Sequence, residues 1–420
     1  MMGANGNERK RVVVTGMGAI TSLGLSPEEF WQNLLKGKSG VANVTLFDTS
    51  HVKTKFAAEV KGFEPTQYTE SKDARRLDRS TLFSIAAARQ ALDDAGLKKF
   101  SDPFRAGVVF GTAFAGLVQT VQAAQGFFQT SKLSPHVPSS ILINMPAFHI
   151  AMYFGARGHN STICTACAAS TLAIGEAAQA IRNDQADVVI TGGADAILSE
   201  YVFVGFGTMR ALSTRNDDPE RASRPFDKNR DGFVVGEGAS VFVLESLEHA
   251  QARGAKIYGE ILGHAANNDA YHFAAPDPEA GGAIHVMRQA LKNSGLTTND
   301  IDYINAHGTS TPLNDPGETF AVKQVFGERA YQIPISSTKS MIGHSMGASG
   351  GFEALACLMT LRDQKIHPTI NYETPDPACD LDYVPNIARA AKVNTIISNS
   401  FGLGGQNATL VIGKYGGNDK

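Results

Sequence analysis

The chain has 420 residues, 43% of them hydrophobic and 19% charged, enough to bury the core of two domains or of one large duplicated one. A formal net charge of −3 gives no global pull toward nucleic acid or an anionic membrane, and four cysteines in so long a chain exclude a disulfide framework and fit a reducing, cytoplasmic setting. The first ten residues read as polar and frayed, the apolar run 12–16 after them is too short for a signal peptide, and no apolar stretch is long enough to span a membrane.

Taken in order, residues 11–16 form a strand, and Ser26 followed by Pro27 opens a helix with an N-cap hydroxyl and proline in the first turn. An irregular stretch to about residue 69 leads to a helix over 77–95 that stops at Gly96. Residues 106–111 are a buried strand, followed by a small-residue turn carrying Phe114, a helix to about 128 and an apolar helix over 139–153. In 161–175 a short apolar strand turns abruptly into a helix of small residues (168–182), with Cys167 at the turn. That helix is apolar on nearly every face and belongs inside a protein. Its N-terminus would aim unpaired N–H groups and the helix dipole at Cys167, which favours the thiolate. A packed core cysteine is the competing reading. A strand at 186–195, a charged loop at 224–233 and a strand at 234–247 complete the first half, 1–255.

The second half, 256–420, runs through a strand at 257–263, a helix at 281–293 and a strand at 301–306 with His307 just beyond it. Asp315, Pro316 and Glu318 read as a capped helix start. A strand at 332–337, a turn over 338–349 and a second small-residue helix at 350–361 repeat the Cys167 arrangement, and strands at 394–401 and 408–412 close the chain. Two such units, one per half, predict a duplicated α/β chain whose two central helices lie between two sheets around a shared core.

Three short motifs fail on context. Cys164 and Cys167 form a C-x-x-C, but Cys357 and Cys379 lack the spacing to complete a zinc site, and a redox role has little support. Gly343-His-Ser-Met-Gly347 matches the nucleophile elbow of α/β-hydrolases, yet the acid and base that follow Ser345, Asp363 and His367, are only four residues apart at a helix end. Gly402-Leu-Gly404 has no pyrophosphate helix behind it.

Cys167 is set apart by its company. Thr165-Ala-Cys-Ala-Ala-Ser170, Ala211-Leu-Ser-Thr-Arg-Asn216, Arg224-Pro-Phe-Asp227, Arg230-Asp-Gly-Phe233, the segments around His307 and His344, and Phe401-Gly-Leu-Gly-Gly405 occur in this order. The chain resembles the elongating β-ketoacyl-[acyl-carrier-protein] synthases of the thiolase-like superfamily, the stand-alone synthase II group above all, from about residue 11 to 412.

That resemblance implies a duplicated five-layer αβαβα sandwich and a decarboxylative Claisen condensation in fatty-acid elongation, with a discrete polyketide or polyene ketosynthase as the second reading. By the same resemblance Cys167 carries the acyl group, and His307 and His344 donate hydrogen bonds to the malonyl thioester oxygen. Lys339 orders the site with Glu353 as its supporting carboxylate. The backbone N–H groups of Cys167 and Phe401 form an oxyanion hole, with Phe401 also a gate. Phe114 shortens the acyl pocket. Arg75, Arg76, Lys132 and Arg210 match a basic rim that docks an acyl carrier protein. The family further implies a homodimer pairing through strand 161–165, no cofactor beyond the carrier's phosphopantetheine, no metal, and no nucleic-acid or membrane partner. Leu403 and Gln406 depart from the family's usual Phe and Thr at the gating turn.

Overall fold

A computed structural model describes residues 10–416, so the frayed segment read at the extreme N-terminus falls outside it except for Lys10. The ten-stranded sheet takes five strands from the first half: β1 (Val12–Ile20), β2 (Ala106–Gly111), β3 (Asn160–Ile163), β4 (Val188–Asp195) and β5 (Gly238–Ser246). Five come from the second: β6 (Gly259–Asn268), β7 (Tyr303–Asn305), β8 (Ile335–Ser336), β9 (Thr395–Gly402) and β10 (Gln406–Gly413). Their order is β8-β7-β9-β10-β6-β1-β5-β4-β2-β3. In the first half β2 pairs in parallel with β3 and β4, while β4 with β5 and β5 with β1 are antiparallel. In the second half β7 pairs in parallel with β8 and β9, while β9 with β10 and β10 with β6 are antiparallel. The repeat read from the sequence is therefore a repeat of strand order and direction. The two sheets expected from it are continuous, because β1 and β6 pair at Val13 with Glu260 and Val14 with Gly259.

The helices that place the site are α1 (Pro27–Leu35), α2 (Arg79–Asp94), α3 (Leu117–Thr130), α4 (Met145–Phe154), α5 (Ala169–Arg182), α6 (Glu200–Thr208), α7 (Gly281–Ser294), α8 (Asn314–Phe326) and α9 (Ser349–Asp363). Helices α5 and α9 pack on each other and on strands of both halves, α2 and α4 cover the outer face of the first five strands, and α7 and α8 cover the second five. This is the thiolase-like layering of helix, sheet, central helix pair, sheet and helix. Small residues make the centre possible. A Cβ at Gly350 would lie 1.8 Å from Thr171 Oγ1, and one at Gly111 would lie 2.5 Å from the carbonyl carbon of Ala169. Every residue of α9 from Ser349 to Leu361 is buried, and one apolar cluster runs from Val12 and Phe30 through Ala173 and Leu355 to Leu410.

Local rules held at several ends. Ser26 accepts the Glu29 N–H to cap α1, and Gly96 follows α2 with φ of +68°. Two expectations did not hold. The helix expected over 139–153 is a short turn at Val137–Ser140 followed by α4, because Pro146 has no N–H to continue the ladder and disfavours helical backbone before it. Asp315 does not cap α8, which begins at Asn314 without a side-chain cap; its carboxylate turns inward to accept Phe226 N (2.8 Å) and Ser310 N (3.1 Å). All four cysteines are free, no helix among the described residues is long and apolar enough to cross a membrane, and no cluster of metal-ligating side chains occurs among them.

Candidate active site

Each central helix starts from a tight turn whose first residue is in the left-handed region although it is not glycine: Ala166 (φ +46°) before Cys167, and Met346 (φ +47°) before Gly347. Such backbone is costly for an L-residue and persists where the surroundings fix it. The first turn presents the Cys167 thiol, 8% exposed, to a cavity of about 450 Å³. The end of β9 covers this thiol, where a Cβ at Gly402 would lie 3.0 Å from Thr165 O and 3.3 Å from Cys167 N.

The opposite wall comes from the second half. His307 follows β7, and His344 precedes α9 with its N–H bonded to Val234 O at 2.7 Å. Both imidazoles line the cavity with Cys167, their ring centroids 5.5 Å apart and their planes nearly perpendicular. Phe401 closes on His307 at 5.8 Å, and Phe233 edges onto His344 at 5.4 Å.

Lys339, buried, donates to His307 O (2.6 Å), to His307 Nδ1 (3.3 Å) and to Glu353. An ammonium only donates, so the imidazole proton of His307 must sit on Nε2. Ser349 Oγ lies 2.8 Å from His344 Nδ1 and can impose the same tautomer. Burial holds both histidines well below the usual imidazole range, with the Lys339 charge adding to it and, for His307, the neighbouring His344 as well. They are therefore neutral N–H donors at neutral pH. Burial also pushes the Cys167 thiol up, against the pull of the Leu403 N–H and the Lys339 charge. The thiolate preference expected from the helix N-terminus is thus opposed by desolvation, and the resting sulfur is a thiol.

Supporting groups carry no signal in the sequence. Glu318, read as part of a helix cap, accepts His307 N and Gly308 N, both at 2.8 Å, and burial pushes its carboxyl up to about 7. Ser400 donates to Glu353 at 3.2 Å and meets Thr171 of α5 at 2.6 Å. Phe114 and Arg210 also line the cavity, whereas Arg75, Arg76 and Lys132 are exposed but outside it.

The hydrolase motif dissolves in three dimensions. Ser345 is buried and does not line the cavity, Asp363 accepts from Trp31 Nε1 at 2.7 Å, and His367 lies in a buried network with Tyr303 and Ser336. Cys164 stands outside the cavity, its sulfur 3.7 Å from Ala113 O.

A cysteine at the head of one central helix, facing two neutral histidines supplied by the duplicated half, defines a thiolase-like condensing enzyme. Residues 9–250 match the N-terminal domain of β-ketoacyl synthases and 258–373 the C-terminal domain. The chain is similar to the 3-oxoacyl-[acyl-carrier-protein] synthase 2 of Synechocystis, 48% identical over 97% of this chain and 99% of the relative, and to that of Coxiella burnetii, 45% identical over the same shares. Among solved structures it is similar to a β-ketoacyl synthase from Burkholderia phymatum, with a TM-score of 0.90, 35% identity and coverage of 97% of this chain and all of the other. It is similar also to a type II polyketide ketosynthase in complex with its acyl carrier protein, with a TM-score of 0.89, 34% identity and the same coverage. The chain belongs to the β-ketoacyl synthase family.

Proposed function

We propose that the chain is a β-ketoacyl-[acyl-carrier-protein] synthase of fatty-acid elongation. The observation that carries this reading is the single cavity shared by Cys167, His307 and His344 in a chain whose relatives at 44–48% identity are 3-oxoacyl-carrier synthases over nearly their full length. Cys167 attacks the thioester carbonyl of an acyl-carrier; its S–C bond forms, the bond to the carrier thiol breaks, and that thiol leaves with the proton of Cys167. Malonyl-carrier then enters. Its C–C bond to the carboxylate breaks, CO₂ departs, and the electron pair becomes an enolate whose oxygen accepts the Nε2–H groups of His307 and His344. The enolate carbon attacks the Cys167 thioester. The new C–C bond forms, the C–S bond to Cys167 breaks to give a β-ketoacyl-carrier two carbons longer, and the released thiolate takes a proton from water. The N–H groups of Cys167 and Phe401 hold the thioester oxyanion, and Phe401 gates the second substrate. Lys339, balanced by Glu353, fixes the tautomer of His307.

The same reading takes an acyl carrier protein as partner, its phosphopantetheine as the only prosthetic group, and the cytoplasm as location. Arg210 stands at the cavity mouth to meet an acidic carrier, with Arg75, Arg76 and Lys132 as outlying charges. A homodimer is supported by β3, which is an edge strand, and by the exposed Phe127, Phe128, Leu142 and Ile143. Sedimentation of the purified chain tests it.

Intact-mass analysis after incubation with acyl-carriers tests the function. Acylation that maps to Cys167 and is lost in Cys167→Ala is expected. An unmodified protein, or acylation retained in that variant, would refute the reading.

A further inference from the structure

Asp195, the last residue of β4, takes no part in the chemistry above, yet it is fully buried beside the nucleophile and accepts four hydrogen bonds. Its Oδ1 takes Thr112 Oγ1 (2.8 Å) and Phe114 N (2.9 Å), and its Oδ2 takes Ala113 N (3.0 Å) and Gly347 N (2.7 Å). All four partners donate, which suits an ionised carboxylate and no neutral side chain of that size.

The partners belong to two different parts of the fold. Thr112, Ala113 and Phe114 form the turn between β2 and α3 in the first half, and Thr112 Oγ1 accepts Ala115 N (3.1 Å) to tighten it. Gly347 belongs to the second half, three residues beyond His344, at the place in the repeat that Cys167 holds in the first. A Cβ at Gly347 would lie 2.5 Å from Ala113 N, so only glycine lets the two turns meet. Phe114 lines the acyl-binding cavity and continues into an aromatic wall through Phe206 (6.4 Å) and Phe233 (5.4 Å) to His344 (5.4 Å).

We infer that Asp195 is a positioning residue for chain-length selection: it pins the Phe114 turn to the Gly347 turn and thereby sets how far an acyl chain extends past Cys167. The inference rests on the ketosynthase reading and on Phe114 as the end wall of the acyl pocket. With the clamp loosened, the Phe114 backbone gives way and longer chains gain relative to short ones. A purely structural role would instead slow all lengths together.

The test measures Cys167 acylation rates from four-carbon and fourteen-carbon acyl-carriers in the full-length enzyme, for wild type, Phe114→Ala, Asp195→Asn, the double variant and Thr112→Val. Phe114→Ala is expected to raise the long-to-short ratio about tenfold, Asp195→Asn to raise it several-fold, and the double variant to match Phe114→Ala alone, because both act through one group. Thr112→Val, which removes one of the four bonds, shifts the ratio the same way by less and decides the matter should Asp195→Asn fail to fold. An unchanged ratio in Asp195→Asn or, in that case, in Thr112→Val overturns the inference, as does an Asp195→Asn effect that adds in full to that of Phe114→Ala. A flat ratio in Phe114→Ala removes the end wall, and the inference with it, while acylation of Cys167 still stands. Failure of the ketosynthase reading is distinct, since it gives no acyl-enzyme with any variant.

Discussion

At the scale of single residues, chemistry here depends on what burial does to ordinary side chains. His307 and His344 are 2% and 3% exposed, and desolvation keeps them neutral, so in the proposed reaction each would offer a hydrogen bond without adding a charge. Replacing either with alanine is expected to lower kcat for condensation by about 10²–10³, the usual cost of one such donor, while Cys167 still acylates. Loss of acylation in those variants would show that the histidines serve the first half-reaction instead. Lys339 and Glu353 form a pair buried at 2% and 0% side-chain exposure. Lys339→Ala leaves Glu353 uncompensated and is expected to cost about 3–5 kcal/mol of stability in urea denaturation. The Lys339→Met/Glu353→Leu double variant is expected to regain most of that stability but not the turnover, because His307 loses the donor that sets its tautomer. Recovery of turnover along with stability would sink the tautomer argument.

At the scale of elements, the site is a consequence of two helices brought closer together than ordinary side chains permit. Gly350 touches Thr171 where α9 crosses α5, with a Cβ position 1.8 Å from the hydroxyl and 2.8 Å from the backbone nitrogen. Gly350→Ala is expected to lower the urea midpoint by the equivalent of about 1–3 kcal/mol, the usual range for overpacking. Gly317 in α8 has nothing within 4 Å of its would-be Cβ, and Gly317→Ala is expected to be neutral or to stabilise by about 0.5–1 kcal/mol. Equal effects at the two positions would mean that helix propensity, not helix approach, governs both.

For the molecule as a whole, stability couples to pH through buried groups, both at the cavity and away from it. His367 is fully buried against Tyr303, Ser336 and the Pro368 carbonyl, and burial pushes its imidazole down to about 4 from an ordinary 6.5. Above pH 6.5 it is neutral whether the chain is folded or not. As pH falls from 6.5 toward 4, the unfolded chain binds a proton that the native one refuses, so about 3 kcal/mol of stability is lost over that window. Glu318, raised to about 7, contributes with the opposite sign, so the contribution of His367 is read as a difference. His367→Asn is expected to lower the slope of unfolding free energy against pH by about one proton between those limits, relative to wild type. Identical slopes for variant and wild type would contradict the assignment.

Much of this was already written in the chain. The alternation of strand and helix, the capping of α1 by Ser26, the stop at Gly96 and the doubled small-residue helices follow from local propensity and periodicity, which neighbours in sequence determine. The candidates Cys167, His307 and His344 were legible from their places at strand ends and small-residue turns, together with the run of motifs the chain shares in order with the family it resembles. Their meeting was not: Cys167 and His344 are 177 positions apart, and only the packing of α5 on α9 makes them walls of one cavity. Tertiary structure alone likewise turned Asp315 and Glu318 from caps into inward-facing carboxylates, fused two sheets through β1 and β6, and set burial against the helix dipole at the thiol. Local pattern fixes which backbone a segment adopts. Desolvation and long-range hydrogen bonding depend on what the rest of the chain brings against it, and those two bias the protonation of Cys167, His307 and His344.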